Sequence, residues 1–126
     1  MFELISLIEG DSVANNTLDQ VSSLISEGDV VMVFLDGNHD YDHVLRELEL
    51  YSPLVTKGSY ILAMDGIKED LVGAPRAQPD WGHNNPAAAA KNFVKKHQDF
   101  EICEPGPQFN EGQITKFVTY WPSAYI

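Results

Sequence analysis

Apolar and polar residues along the chain change rhythm in a way that predicts alternating strands and helices. Residues 2–9 (FELISLIE) alternate, with Phe2, Leu4, Ser6 and Ile8 against Glu3, Ile5, Leu7 and Glu9, and Gly10 stops the run. That period of two predicts a strand. Over 16–27, Leu18, Val21, Leu24 and Ile25 recur at helical spacing. Asn16 or Thr17 would cap this helix and Gly28 would close it. Residues 30–35 (VVMVFL) are apolar without interruption and rich in β-branched side chains, as in a strand covered on both faces. A turn (DGNH) leads to a predicted helix over 40–51, with Val44, Leu45, Leu48 and Tyr51 on one face and Pro53 beyond its end. SYILAMD at 59–65 then completes a strand–helix–strand unit, which almost always joins parallel strands by a right-handed crossover.

Residues 66–85 hold three glycines and two prolines and keep no period, which predicts a long loop of the length that usually serves function. Pro86 suits the first turn of a helix capped by Asn85, with Ala90, Phe93, Val94 and His97 forming its apolar face. FEICE and ITKFVTYW, joined across PGPQFNEGQ, predict an antiparallel hairpin. Cys103 would be a small buried hydrophobe in its first strand.

At 126 residues, with 44% apolar and 21% charged side chains, the chain is expected to form one globular α/β domain over 1–126. Eight basic against nineteen acidic residues give a net charge of −11, which repels nucleic acid and anionic membrane surfaces. The imbalance is local: residues 1–66 carry twelve acids and two bases. One cysteine excludes an intrachain disulfide and a thiolate zinc cage. With no basic leader and no long apolar run, a cytoplasmic protein is expected.

Ligands of open parallel sheets bind at the carboxyl ends of the strands. Two predicted strands end there in aspartate, Asp36 and Asp65. On neighbouring strands about 4.8 Å apart, both carboxylates could reach one hard cation, with His39 and His43 nearby as a base or further ligands. The same aspartates also suit the capping of the turns they precede. Trp81 and His83, in the long loop, are candidates for contact with a substrate, or in the case of Trp81 for anchoring the loop.

The string GNHD is similar to a metal-binding motif of metallophosphoesterases, but that centre also needs an early D-x-H, and no histidine precedes Asp36. A second resemblance spans most of the chain. LIEGDS at 7–12, FLDGNHDYDHVLRELELYSPLVTKGSYILAMD at 34–65, NPAAAAKNFVKKHQDFEI at 85–102 and KFVTYWPSAYI at 116–126 together resemble the C-terminal half of the cephalosporin hydroxylase and rhamnosyl O-methyltransferase family. Its fold is that of class I S-adenosylmethionine methyltransferases. The resemblance implies that Asp36 and Asp65 are ligands of Mg2+ or another divalent cation beside the methyl-acceptor site. His39 falls at a catalytic-site histidine and Asp11 near the cofactor adenine; Met64 stands where relatives often carry glutamate.

The two family strands that would precede Phe2, with their glycine-rich cofactor turn, have no counterpart here, and no G-x-G turn occurs elsewhere. The expectation is therefore a truncated Rossmann-like sheet of about five strands, the first three parallel and the last two a hairpin, with three helices mainly on one face. Such a chain would not hold S-adenosylmethionine or methylate alone. The alternative is a metal-assisted O-methyltransferase working as a homodimer through the uncovered sheet face, or with a partner chain supplying the missing half. A small-molecule ligand is expected in either case.

Overall fold

A computed structural model describes residues 5–106 and 119–126. Its elements run α1 (Asn15–Ser23), β1 (Val33–Leu35), α2 (Tyr41–Tyr51), β2 (Ile61–Ala63) and α3 (Pro86–Lys96), with 3₁₀ turns at Ser52–Leu54 and Gly66–Leu71. This is a mixed α/β fold around a small parallel sheet. β1 and β2 pair in parallel with Val33 opposite Ile61, Phe34 opposite Leu62 and Leu35 opposite Ala63. The strand–helix–strand unit read from the sequence is thus present.

The core forms where the apolar stripes of two helices meet the sheet. Val44 and Leu48 of α2 and Ala89, Ala90 and Phe93 of α3 cluster with Leu35, Ile61, Ala63 and Ile126. Leu18 and Val21 of α1 pack against the same cluster, half-buried. Phe93 is wholly buried, which contributes about 1.5–3 kcal/mol by removing its ring from water. The alanines beside it let α2 and α3 approach closely. Across this contact His97 lies 3.0 Å from Glu49 and Asn92 hydrogen-bonds the Tyr41 hydroxyl; at the end of α3 His97 stacks on Phe93, and Lys91 pairs at 2.6 Å with Glu69 of the Gly66–Leu71 turn.

Asn85 caps α3 as its sequence predicts, accepting the Ala88 N–H at 2.8 Å while its amide donates to the Trp81 carbonyl at 2.7 Å. The start of α1 differs. Ala14 occupies the cap position without a side-chain bond, and the buried Thr17 packs against Gly10, where a Cβ would come within 2.5 Å of Thr17 Oγ1. Nor does Gly28 close α1, which ends at Ser23. Gly28 instead takes φ +92° in a turn bonded from Asp29 N–H to Ser26 O.

Two predicted strands are not found among the described residues. Residues 5–9 pair with nothing in a sheet and leave Ile5 and Leu7 exposed; 2–4 lie outside the described residues. Alternation alone does not make a strand, because its backbone groups need a neighbouring strand. Residues 100–104 likewise form no strand, and most of the predicted hairpin's second arm lies outside the described residues. The sheet is instead extended by the last three residues. Ile61 exchanges backbone bonds with Ile126 at 2.9 and 3.1 Å, Ala63 donates to Ala124, and Cys103 donates to Tyr125 from the far side. Cys103 is exposed rather than buried, since only its backbone is drawn into this arrangement. Among the described residues no helix is long and apolar enough to cross a membrane.

Candidate metal centre

The parallel register sets Leu35 beside Ala63, so the chain leaves both strands at one edge of the sheet. Asp36 follows β1 directly. The Met64 N–H donates to the Leu35 carbonyl at 3.1 Å, continuing the ladder by one step before Asp65 turns away in a left-handed conformation at φ 59°. His39 is brought back by an Asx turn in which Asn38 Oδ1 accepts the Asp40 N–H at 2.9 Å. Its Nε2 lies 3.6 Å from Asp36 Oδ1 and 3.5 Å from Asp65 Oδ2.

One donor atom from each of Asp36, His39 and Asp65 lies within 4.8 Å of the others. Ligands about 2.1 Å from one Mg2+ lie up to about 4.2 Å apart, so side-chain shifts below an ångström would close the set. His39 Nε2 is buried without a hydrogen-bond partner among the described residues. The aspartates are 60% and 44% exposed, which leaves solvent access for further ligands. Two carboxylates and an imidazole suit a small divalent cation.

The other predicted residues stand apart from this set. Asp11 is exposed and folds the entry to α1, its Oδ1 accepting the Val13 N–H at 3.1 Å. Trp81 is half-buried with Lys68 Nζ 5.0 Å above its ring, an anchoring arrangement. His83 is exposed and lines a cleft of about 780 Å3 with Asp40, Asp42, His43 and Asp80.

A second polar cluster lies along the inner side of α2. Glu47 is only 3% exposed; its Oε1 lies 3.5 Å from His43 Nε2, and its Oε2 has no hydrogen-bond partner among the described residues. His43 Nε2 also lies 3.1 Å from Ser12 Oγ, and the Tyr51 hydroxyl donates to the Ser12 carbonyl at 2.8 Å. Burial raises the pKa of Tyr51, and the charges of Glu47 and Asp11 raise it further. The signal for Glu47 was its helical position: three residues after Val44 and four before Tyr51, it lies on the apolar stripe.

Neither a curated protein nor a solved structure matches this sequence. The sequence model of the family described as rhamnosyl O-methyltransferase/CmcI matches residues 1–126, and the chain belongs to that family.

Proposed function

We propose that this methyltransferase-family domain holds a divalent cation on Asp36, His39 and Asp65 and uses that edge of the sheet to present an acceptor hydroxyl for methylation. The observation that carries the reading is the convergence of the three donor atoms on a buried, unpartnered His39 Nε2. In this reading His39 serves as a ligand rather than as a free base. A bound divalent cation would supply Lewis acidity, lowering the pKa of the acceptor hydroxyl. The protein's part is positioning: Asp36 and Asp65 fix the negative face of the site, and the loop that carries Trp81 and His83 borders the neighbouring cleft.

For S-adenosylmethionine the chain supplies less. Asp11 engages the N–H of Val13, and the sequence has no G-x-G turn to approach the methyl donor. In this reading the residues of this chain furnish the cation and acceptor side. The match across the chain supports this reading over the phosphoesterase one, which rests on GNHD alone.

Calorimetric titration with Mn2+ and Mg2+ tests the reading. One cation per chain is expected, with binding lost in Asp36→Asn and Asp65→Asn. Unaltered binding by both variants, or no binding by the parent chain at millimolar metal, would sink the proposal.

A further inference from the structure

His39 immediately precedes the cap position of α2, so its backbone follows wherever that helix begins. Asn38 Oδ1 accepts the Asp40 N–H at 2.9 Å, but Asp40 itself makes no side-chain capping bond. The acceptor comes instead from the loop before α3, where Asn84 Oδ1 takes the Tyr41 N–H at 2.7 Å. Asn84 is firmly placed. Its backbone N–H donates to the Asp80 carbonyl at 2.8 Å, and the next residue, Asn85, is wholly buried as the cap of α3. The Tyr41 hydroxyl is hydrogen-bonded by Asn92 of α3 as well. Backbone and ring together fasten the first residue of α2 to the α3 side of the fold.

An amide at position 84 meets two opposite demands. On one side it faces an N–H and must accept; on the other, Nδ2 lies 2.9 Å from Asp80 Oδ2 and must donate. A carboxylate there would repel Asp80 and an ammonium could not accept, and the two neighbours together fix which way the amide is turned. The turn that carries His39 needs such support. Its Nε2 lies 3.6 Å from Asp36 Oδ1 and 3.5 Å from Asp65 Oδ2. A wander of the turn by about an ångström decides whether the imidazole can share a cation with them, since a site must be held to about half an ångström.

We infer that Asn84, oriented by Asp80, is a positioning residue of the cation centre: it fixes the turn that carries His39 and so couples cation binding to the loop over residues 80–84. This role rests on the reading of Asp36, His39 and Asp65 as cation ligands. Coupling of this kind is reciprocal. A cation that draws His39 toward the two aspartates steadies the loop, and an acceptor that steadies the loop tightens the cation. His83 and Asn84 line the cleft of about 780 Å3 together with Asp40 and Asp80. An acceptor bound there touches one end of the linkage while the cation holds the other.

Calorimetric titration with Mn2+ compares the parent chain, Asn84→Ala, and the exchanged pair Asn84→Asp with Asp80→Asn. Asn84→Ala should bind about tenfold more weakly, the lower end of the usual loss when a group that orients a metal ligand is removed. The exchanged pair keeps the net charge, an acceptor for the Tyr41 N–H and a donor facing it, and should recover most of the parent affinity. Val94→Ala, toward the other end of α3, trims the margin of the core and should lower stability without changing affinity. Hydrogen exchange over residues 80–84 should slow on adding Mn2+ to the parent and not to Asn84→Ala. In EDTA the nuclear magnetic resonance signals of the His39 ring should already move in Asn84→Ala and return in the exchanged pair. Circular dichroism checks folding; where Asn84→Ala does not fold, Asp80→Ala, which frees the amide without removing it, should show part of the same loss, and unchanged affinity there would count against the role. A parent chain that binds no cation would overturn the ligand reading and this role together. A parent that binds, matched in affinity by folded Asn84→Ala, would overturn this role alone. So would unmoved His39 signals, an exchanged pair no better than Asn84→Ala, a loss of the same size in Val94→Ala, or loop exchange that ignores the cation.

Discussion

Asn84 Oδ1 accepts the backbone N–H of Tyr41 at 2.7 Å, so the loop before α3 caps the first turn of α2 from outside. Asp40, at the cap position itself, makes no side-chain capping bond. The Asn84 amide donates in turn to Asp80 Oδ2 at 2.9 Å. The turn that carries His39 is thereby tied to the far loop at the first turn of α2, and the Asp80 contact holds Asn84 in place for it.

Replacing Asn84 by alanine should cost about 1 kcal/mol of stability, the usual size of a lost N-cap. Asp40→Ala should cost less, because Asp40 contributes no side-chain cap. Urea denaturation of the two variants checks the ordering, and equal losses would refute the assignment of the cap to Asn84.

Cation binding at Asp36, His39 and Asp65 should appear as stability, since a ligand that binds only the folded state stabilises it by mass action. At about a hundred times Kd the gain is about 2.7 kcal/mol. Mn2+ should raise the melting temperature of the parent chain and leave a doubly substituted Asp36→Asn, Asp65→Asn chain unmoved. His39→Ala should fall between them, and EDTA should reverse the effect.

Tyr51 gives a pH signature of the inner cluster. Its folded pKa lies above the ordinary value near 10. The folded state therefore holds the phenol proton more tightly than the unfolded state does. The resulting stabilisation is present below the unfolded pKa and is lost as pH rises through the folded one. Ultraviolet titration of phenolate should find one late tyrosine that disappears in Tyr51→Phe. Glu47→Gln should move that transition to lower pH.

Gly66 follows Asp65 and has no room for a side chain: a Cβ there would sit 2.5 Å from the Pro122 carbonyl oxygen and 3.0 Å from Ala87 Cβ. Gly66→Ala should destabilise the fold by about 1–3 kcal/mol through overpacking and weaken cation binding by displacing Asp65. Gly37→Ala, on the other flank of the site, meets open space and should do little. Thermal melts with and without Mn2+ distinguish the two.

The sequence made the local features legible and left the long-range ones hidden. The parallel pair, α2, and α3 with its Asn85 cap all follow from runs of neighbouring residues whose period or end signals suffice. Asp36 and Asp65 were legible as a pair because each follows an apolar strand, and parallel strands emerge at a common edge. The paired Glu47 and His43 were harder, since a glutamate on an acidic helix reads as a solvated side chain unless its place on the apolar stripe is checked. Asn84 capping a helix that starts 43 residues earlier leaves no local trace. Residues 5–9 show the opposite failure: their alternation was plain, but a strand needs a neighbour that a period cannot supply.

Asp65 stands in the left-handed region, where a side-chain-bearing residue gives up about 1–2 kcal/mol relative to glycine, somewhat less for aspartate. Stability and affinity therefore pull against each other at this one backbone position. Asp65→Gly would relax the turn and at the same stroke remove a carboxylate from the site. A variant library screened for heat resistance without added metal would drift toward glycine at 65 and lose the carboxylate without any sign in its melting curve.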